Sequence, residues 1–195
     1  MPPKSRTETP TKTKTAAKAP KASQKASGSA PASSGTGAGL AVGAEAPAFS
    51  LPSSAGTDVS LASLRGSIVV LYFYPKDDTP GCTREAQAFE ASRPALEALG
   101  ARVFGVSRDS LASHTKFCTK YGLGFPLLTD ADGAVMQAYR AWGEKVLYGK
   151  VSVGVIRSTV VIDREGRVAK HYPRVKVDGH ADAVLALVEG LAKGR

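Results

Sequence analysis

The chain has 195 residues, 43% of them hydrophobic, which suits one packed core and few more. Its 26 Lys and Arg outnumber 17 Asp and Glu, a formal net charge of +9, and no apolar run approaches the ~18 residues of a membrane-spanning helix. Two cysteines, Cys82 and Cys118, are too few for a disulfide framework or a four-ligand zinc site, so each thiol is packing, catalysis or half of a redox pair.

Residues 1–40 carry six lysines and Arg6 against Glu8 alone, a net +6, and lack Val, Ile, Phe, Tyr and Trp. That composition cannot bury enough apolar surface to offset the entropy of ordering, so a disordered basic tail is expected. It reads either as a solvated linker or as an electrostatic arm making weak contacts with nucleic acid. Its lysines are spaced (Lys12, Lys14, Lys18, Lys21, Lys25) rather than packed into a nuclear-import block, and Pro2, Pro3, Pro10 and Pro20 argue against an amphipathic mitochondrial presequence. With no apolar signal region either, an intracellular address, nucleus or cytoplasm, is expected.

A folded domain is expected over residues 41–195. Phe49 to Leu51 and Val59 to Leu61 read as a short hairpin around Pro52 to Gly56. Ser67 to Tyr74 is a continuous apolar run suited to a strand covered on both faces. A helix should follow from Cys82 to about Leu99, kinked or interrupted at Pro94. Arg102 to Ser107 reads as a strand, Ser110 to Tyr121 as a helix and Phe125 to Leu128 as a short strand. Asp132 to Arg140 reads as a helix capped by Asp132. Arg157 to Asp163 and Arg167 to Tyr172 flank a turn at Arg164-Glu-Gly166, and His180 to Leu191 closes the domain as a helix. This order implies an α/β fold, a mixed sheet with helices on both faces.

The chemistry concentrates in Pro75-Lys-Asp-Asp-Thr79-Pro-Gly-Cys82, where strand gives way to helix at the carboxyl end of the sheet. A cysteine in the first helical turn meets unpaired N–H groups and the positive end of the helix dipole, which favour the nucleophilic thiolate. His114, His171 and His180 fall on separate elements without a Gly-x-Ser-x-Gly elbow and read as surface or packing residues. Gly143 to Lys150 imitates a phosphate loop with one residue too many, and Val151 stands where Ser or Thr is needed. Trp142 with Tyr139 reads as an aromatic pair in the core or over a pocket.

Pro75-x-x-x-Thr79-x-x-Cys82 resembles the active-site signature of peroxiredoxins. The run Tyr72 to Glu85 is similar to the bacterioferritin-comigratory (Q-type) branch, and the likeness continues at Trp142 to Lys145, Gly149-Lys150 and Ile156 to Asp163, covering about residues 43–192. The resemblance implies a thioredoxin-like fold and reduction of hydrogen peroxide and organic hydroperoxides, with no metal and no cofactor. Cys82 then matches the peroxidatic cysteine, and Thr79 the hydroxyl that bonds the thiolate or the peroxide oxygen. Arg157 matches the arginine that stabilises both the thiolate and the developing oxyanion. Pro75 would shape the pocket, and Glu85 would hold Arg157.

The commonest Q-type pattern places a resolving cysteine five residues after the first, where this chain has Gln87. Some members carry it on the next helix, which matches Cys118; a packing cysteine is the other reading. A Cys82–Cys118 disulfide needs Cα atoms within about 7 Å, so local unwinding is expected. Thioredoxin is the expected reductant, with glutathione or another external thiol in its place if Cys118 only packs. A monomer and no membrane association are expected. A non-catalytic thioredoxin-fold adaptor and a nucleic-acid-associated protein are the competing functional classes.

Overall fold

The structure, a computed structural model, describes residues 39–147 and 150–194, with the side chains of all of these except 146, 147 and 150. The tail lysines Lys12 to Lys25, and Gly149 of the Gly149-Lys150 motif, lie outside the described residues. Next to the expected boundary at residue 41, Leu40 packs on the core and its N–H donates to His171 Nδ1 at 2.7 Å.

β1 (Ser50–Leu51) and β2 (Val59–Ser60) form the expected antiparallel hairpin. β3 (Ile68–Phe73) is buried at every position, as its unbroken apolar sequence requires. It is followed by α1 (Pro80–Ala98), β4 (Ala101–Ser107), α2 (Leu111–Tyr121), β5 (Leu127–Thr129) and α3 (Ala134–Ala138). Then come β6 (Trp142–Leu147), β7 (Lys150–Val155), β8 (Ser158–Ile162), β9 (Val168–Tyr172) and α4 (His180–Lys193). The central sheet has the order β5-β4-β3-β8-β9, with β3, β4 and β5 parallel and β8 and β9 antiparallel to their neighbours.

Alternation along β3 divides the core into two layers. Val69, Leu71 and Phe73 face Phe49, Leu51 and Val59 of the amino-terminal hairpin and Met136 near α3's centre. Ile68, Val70 and Tyr72 face the helices, meeting Phe89 and Leu96 of α1, Phe117 of α2, and Val184 and Val188 of α4. Helices thus lie on both faces, three against one. None among the described residues is long and apolar enough to cross a membrane.

Several local expectations are corrected. Of the kink or interruption expected at Pro94, the interruption is absent: α1 runs through it without a break. Proline removes one backbone hydrogen bond, but Arg93 bridges that turn with side-chain bonds to Glu90 at 2.9 Å and Glu97 at 3.0 Å. β5 starts two residues late, because Pro126 has no N–H to pair. α3 ends at Ala138 rather than Arg140, which adopts φ +57°. Asp132 is not the cap residue, a place Gly133 takes; it accepts from Ala134 N, while the buried Asp130 accepts from Val135 N and Met136 N. The region compared with a phosphate loop is instead the β6–β7 hairpin, pairing Trp142 with Val155. Val151 and Val153 are 66% and 62% exposed, while Val155, next in the same alternation, is buried, so the apolar alternation marks a buried face only at the base of the hairpin.

Gly105 on β4 sits under the Tyr72 ring: a Cβ there would lie 2.7 Å from Tyr72 Cζ and from Leu127 Cδ2. Gly105→Ala is expected to destabilise the fold by about 1–3 kcal/mol through overpacking. Urea unfolding should show a lower midpoint with unchanged slope; an unshifted midpoint would mean that Tyr72 has room to move.

Candidate active site

β3 delivers the chain to the carboxyl end of the sheet, and residues 75–79 turn it back into α1. Thr79 is the N-cap residue in extended conformation, and Pro80 opens the helix, where its missing N–H costs nothing. Cys82 therefore falls in the first turn, 1% exposed, packed in the helix-side core layer. Arg157 arrives from the other side of β3. Because β8 pairs antiparallel with β3, with Phe73 opposite Ser158, the residue before β8 lies beside the end of β3.

That register brings the Arg157 guanidinium onto the sulfur, with Nη2 3.2 Å from Cys82 Sγ. Nη1 donates to Glu85 Oε2. One planar cation is thus shared between a sulfur and a carboxylate, with the Arg157 side chain 17% and that of Glu85 1% exposed. A Cβ at Gly81 would stand 3.3 Å from Arg157 Nη2, so glycine there lets the guanidinium approach. Burial pushes the Glu85 carboxyl up to about 7, with the charge of Arg157 pulling the other way. Its second oxygen has no hydrogen-bond partner. On α4, burial and then the charge of Arg157 lower His180 to about 4, and its Nε2 lies 2.8 Å from Thr159 Oγ1.

Cys82, Glu85 and Arg157 are therefore brought together. Thr79 is half-buried and its hydroxyl donates to Lys76 O at 3.2 Å, not to the sulfur, while Pro75 is exposed. Both cysteines are free thiols. Cys118 is half-buried on the last turn of α2, its Sγ 3.8 Å from Ser54 Oγ. It lines a surface cavity of about 210 Å³ with Ser54, Leu123, Phe125 and Pro126. Burial raises its thiol above the ordinary range, which leaves it a poor nucleophile in this conformation.

Sequence reasoning missed a second cluster. Asp77, in the polar loop before Cys82, is 6% exposed. It accepts from Tyr74 Oη at 2.7 Å and Ser113 Oγ at 2.7 Å, and lies 2.9 Å from His114 Nδ1. His114 is fully buried, and its Nε2 faces Leu128 O at 3.2 Å, so both ring nitrogens meet acceptors. His171 and His180 are buried too, so none of the three histidines is a surface residue. Burial alone would raise the Asp77 carboxyl, but hydrogen bonds from His114, Ser113 and Tyr74 outweigh it and hold it below the ordinary carboxylate range. The hint in the sequence was His114 one helical turn before Cys118, on the side of α2 that also carries Phe117.

A cysteine in the first turn of a helix after a sheet's central strand, paired with an arginine from a neighbouring strand, places the chain among thiol-centred proteins of thioredoxin-like fold. The AhpC/TSA family model matches residues 42–171. Peroxiredoxin Bcp of Xanthomonas campestris is 47% identical over 150 residues, covering 76% of this chain and 94% of that protein. A solved structure concerned with the alkyl peroxide reduction activity of the Xanthomonas campestris bacterioferritin comigratory protein is 46% identical, with TM-score 0.71, covering 74% of this chain and 92% of that one. Two further structures, of Xanthomonas campestris peroxiredoxin Q with cysteine replaced by serine, are 46% identical with TM-scores 0.71 and 0.70. They cover 74% and 73% of this chain and 92% and 90% of those chains. Their two replaced positions are 36 apart, the separation of Cys82 and Cys118. The chain belongs to the AhpC/TSA family, in the Bcp or Q-type branch of the peroxiredoxins.

His114→Ala is expected to cost about 3 kcal/mol at pH 7, because it strands the buried Asp77 carboxylate. Asp77 titrates below its usual 3.8 in the folded protein, so the pair's contribution is present above that value and is lost as pH falls through the folded value. Urea unfolding of wild type and variant should therefore differ at pH 7 and converge towards pH 3. A gap of the same size at both would assign the cost to lost packing.

Proposed function

We propose that the protein is a thiol peroxidase that reduces hydrogen peroxide and organic hydroperoxides at Cys82. The observation that carries this reading is the 3.2 Å contact between Arg157 Nη2 and Cys82 Sγ in a buried site at the start of α1. The guanidinium is a charged donor aimed at the sulfur that reacts. The thiolate attacks one peroxide oxygen, the O–O bond breaks, and the released alkoxide or hydroxide takes up a proton. Cys82 is left as a sulfenic acid. The same guanidinium faces the charge that develops on the leaving oxygen, where a fixed donor acts with no reorganisation. Glu85 holds Arg157 by its second nitrogen. Thr79 gives up its bond to Lys76 O to bond the peroxide oxygen, and Pro75 walls the site on the solvent side.

Cys118 is the resolving thiol. Its sulfur attacks the sulfenic sulfur of Cys82, a disulfide forms and water leaves. Thioredoxin, a dithiol, then exchanges with that disulfide and regenerates both thiols. The equal spacing of the cysteines replaced in the Xanthomonas campestris protein supports the pairing. The role is antioxidant defence and cell redox homeostasis in a reducing compartment, as a monomer. The tail is an appendage to a domain running from about residue 41, making salt-dependent contacts with polyanions. The relatives compared are bacterial and lend no support to a nuclear address.

In a coupled assay with peroxide, thioredoxin, its reductase and NADPH, Cys82→Ser should abolish turnover. Arg157→Met should lower the rate of Cys82 oxidation by about a hundredfold or more, the loss typical of one oxyanion donor. Cys118→Ser should keep one peroxide-driven oxidation of Cys82 and slow thioredoxin-dependent turnover. Peptide mapping after one equivalent of peroxide should show Cys82 joined to Cys118. Full turnover in Cys82→Ser would sink the enzyme reading; sulfenic acid alone in the wild type would remove Cys118 from it.

A further inference from the structure

α2 is held to the loop before Cys82 by two adjacent aspartates that reach its opposite ends. Asp77 takes the amino-terminal half, through Ser113 and His114, in buried bonds. Asp78 takes the carboxyl-terminal turn: Lys120 Nζ donates to its two oxygens at 2.8 and 2.7 Å, and Tyr121 Oη donates at 2.5 Å. Asp78 stands at φ +54°, a left-handed conformation that aspartate and asparagine tolerate better than most residues. Cys118 opens that same turn. Beyond Asp78, the turn is closed by Gly122 in the left-handed cap, by Leu123 N bonding Cys118 O at 3.0 Å, and by the edge of Tyr121 on Phe117. The first end is buried; the second is an exposed ion pair with Lys120 57% and Asp78 47% accessible.

Resting on the peroxidase reading above, we propose that Asp78 is a latch: by gripping Lys120 and Tyr121 it holds the Cys118 turn wound, and so sets how the Cys82 sulfenic acid divides between disulfide and further oxidation. The two fates compete for one sulfur. In the first, the turn frays, Cys118 attacks the sulfenic sulfur, the S–S bond forms and water departs. In the second, the sulfenate attacks another hydroperoxide, takes one oxygen to become a sulfinic acid, and releases the alcohol or water. A latch made of exposed charges is strong enough to hold the turn and weak enough to release it without unfolding the domain. The buried Asp77–His114 pair keeps the rest of α2 in place while the last turn opens. Asp78 is a positioning residue here, acting through α2.

The test uses Asp78→Asn, which removes the charge and keeps a residue suited to the left-handed backbone. Rapid mixing with one equivalent of hydrogen peroxide should give a first phase, loss of the Cys82 thiol, equal to wild type. The second phase, disulfide formation, should be about three- to fivefold faster, as expected for losing an exposed ion pair. At excess peroxide the sulfinic fraction by intact mass should fall. Lys120→Gln should act in the same direction, and the double variant should add nothing, because both remove one interaction. Amide hydrogen exchange reads the latch without chemistry: Lys120 to Leu123 should exchange faster in Asp78→Asn, with Ser113 and His114 unchanged. Unchanged exchange there, an unchanged second phase, or multiplying effects in the double variant would overturn the latch. A missing first phase in wild type would contradict the peroxidase reading, while the exchange result would still decide the latch.

Discussion

One guanidinium, shared between the sulfur of Cys82 and the carboxylate of Glu85, is the contact on which the site depends. An isolated cation is costly to bury. Arg157 is tolerated at 17% exposure because the Glu85 carboxyl, one helical turn beyond the sulfur, accepts from it. Removing Glu85 would leave the charge to the sulfur alone. The arrangement is therefore a unit of three residues, and none of its members has the same chemistry without the others.

The fold earns this geometry by register. Cys82 and Arg157 are 75 positions apart in the chain. They meet because Phe73 and Ser158 are paired partners on β3 and β8, so the end of one strand coincides with the start of the other. A slip of one residue would turn Arg157 away from α1. The same sheet end carries the Asp77 cluster, anchored through Asp77 N to Asp109 and through His114 to Leu128 O. The loop before Cys82 is thereby fixed by buried bonds, while the exposed Asp78 reaches the Cys118 turn.

Much of this was legible in the sequence and some could not be. The β3 and β4 runs are apolar on both faces, and their strands fell where that pattern put them. The turn-helix character of Thr79-Pro-Gly-Cys82 placed Cys82 in a first turn from local chemistry alone. Arg157 was reachable only through the family resemblance, since nothing within the chain announces a contact across 75 residues. The Asp77–His114 pair, 37 positions apart, was hidden for the same reason: an aspartate in a Lys-Asp-Asp-Thr loop reads as solvated until a helix is packed over it. The β6–β7 hairpin escaped because its glycines and lysines break the strand pattern and because Val151 and Val153 are exposed. The helix is not interrupted at Pro94, where side-chain bonds from Arg93 span the turn that lost a backbone bond.

The most direct measurement is the second-order rate of Cys82 with hydrogen peroxide in the folded protein, set against an unstructured peptide spanning residues 75–90. The fold is held here to supply the reactivity, so the protein should react faster by at least about a hundredfold, the contribution of a single positioned donor. Equal rates for protein and peptide would mean that neither the helix terminus nor Arg157 activates the sulfur.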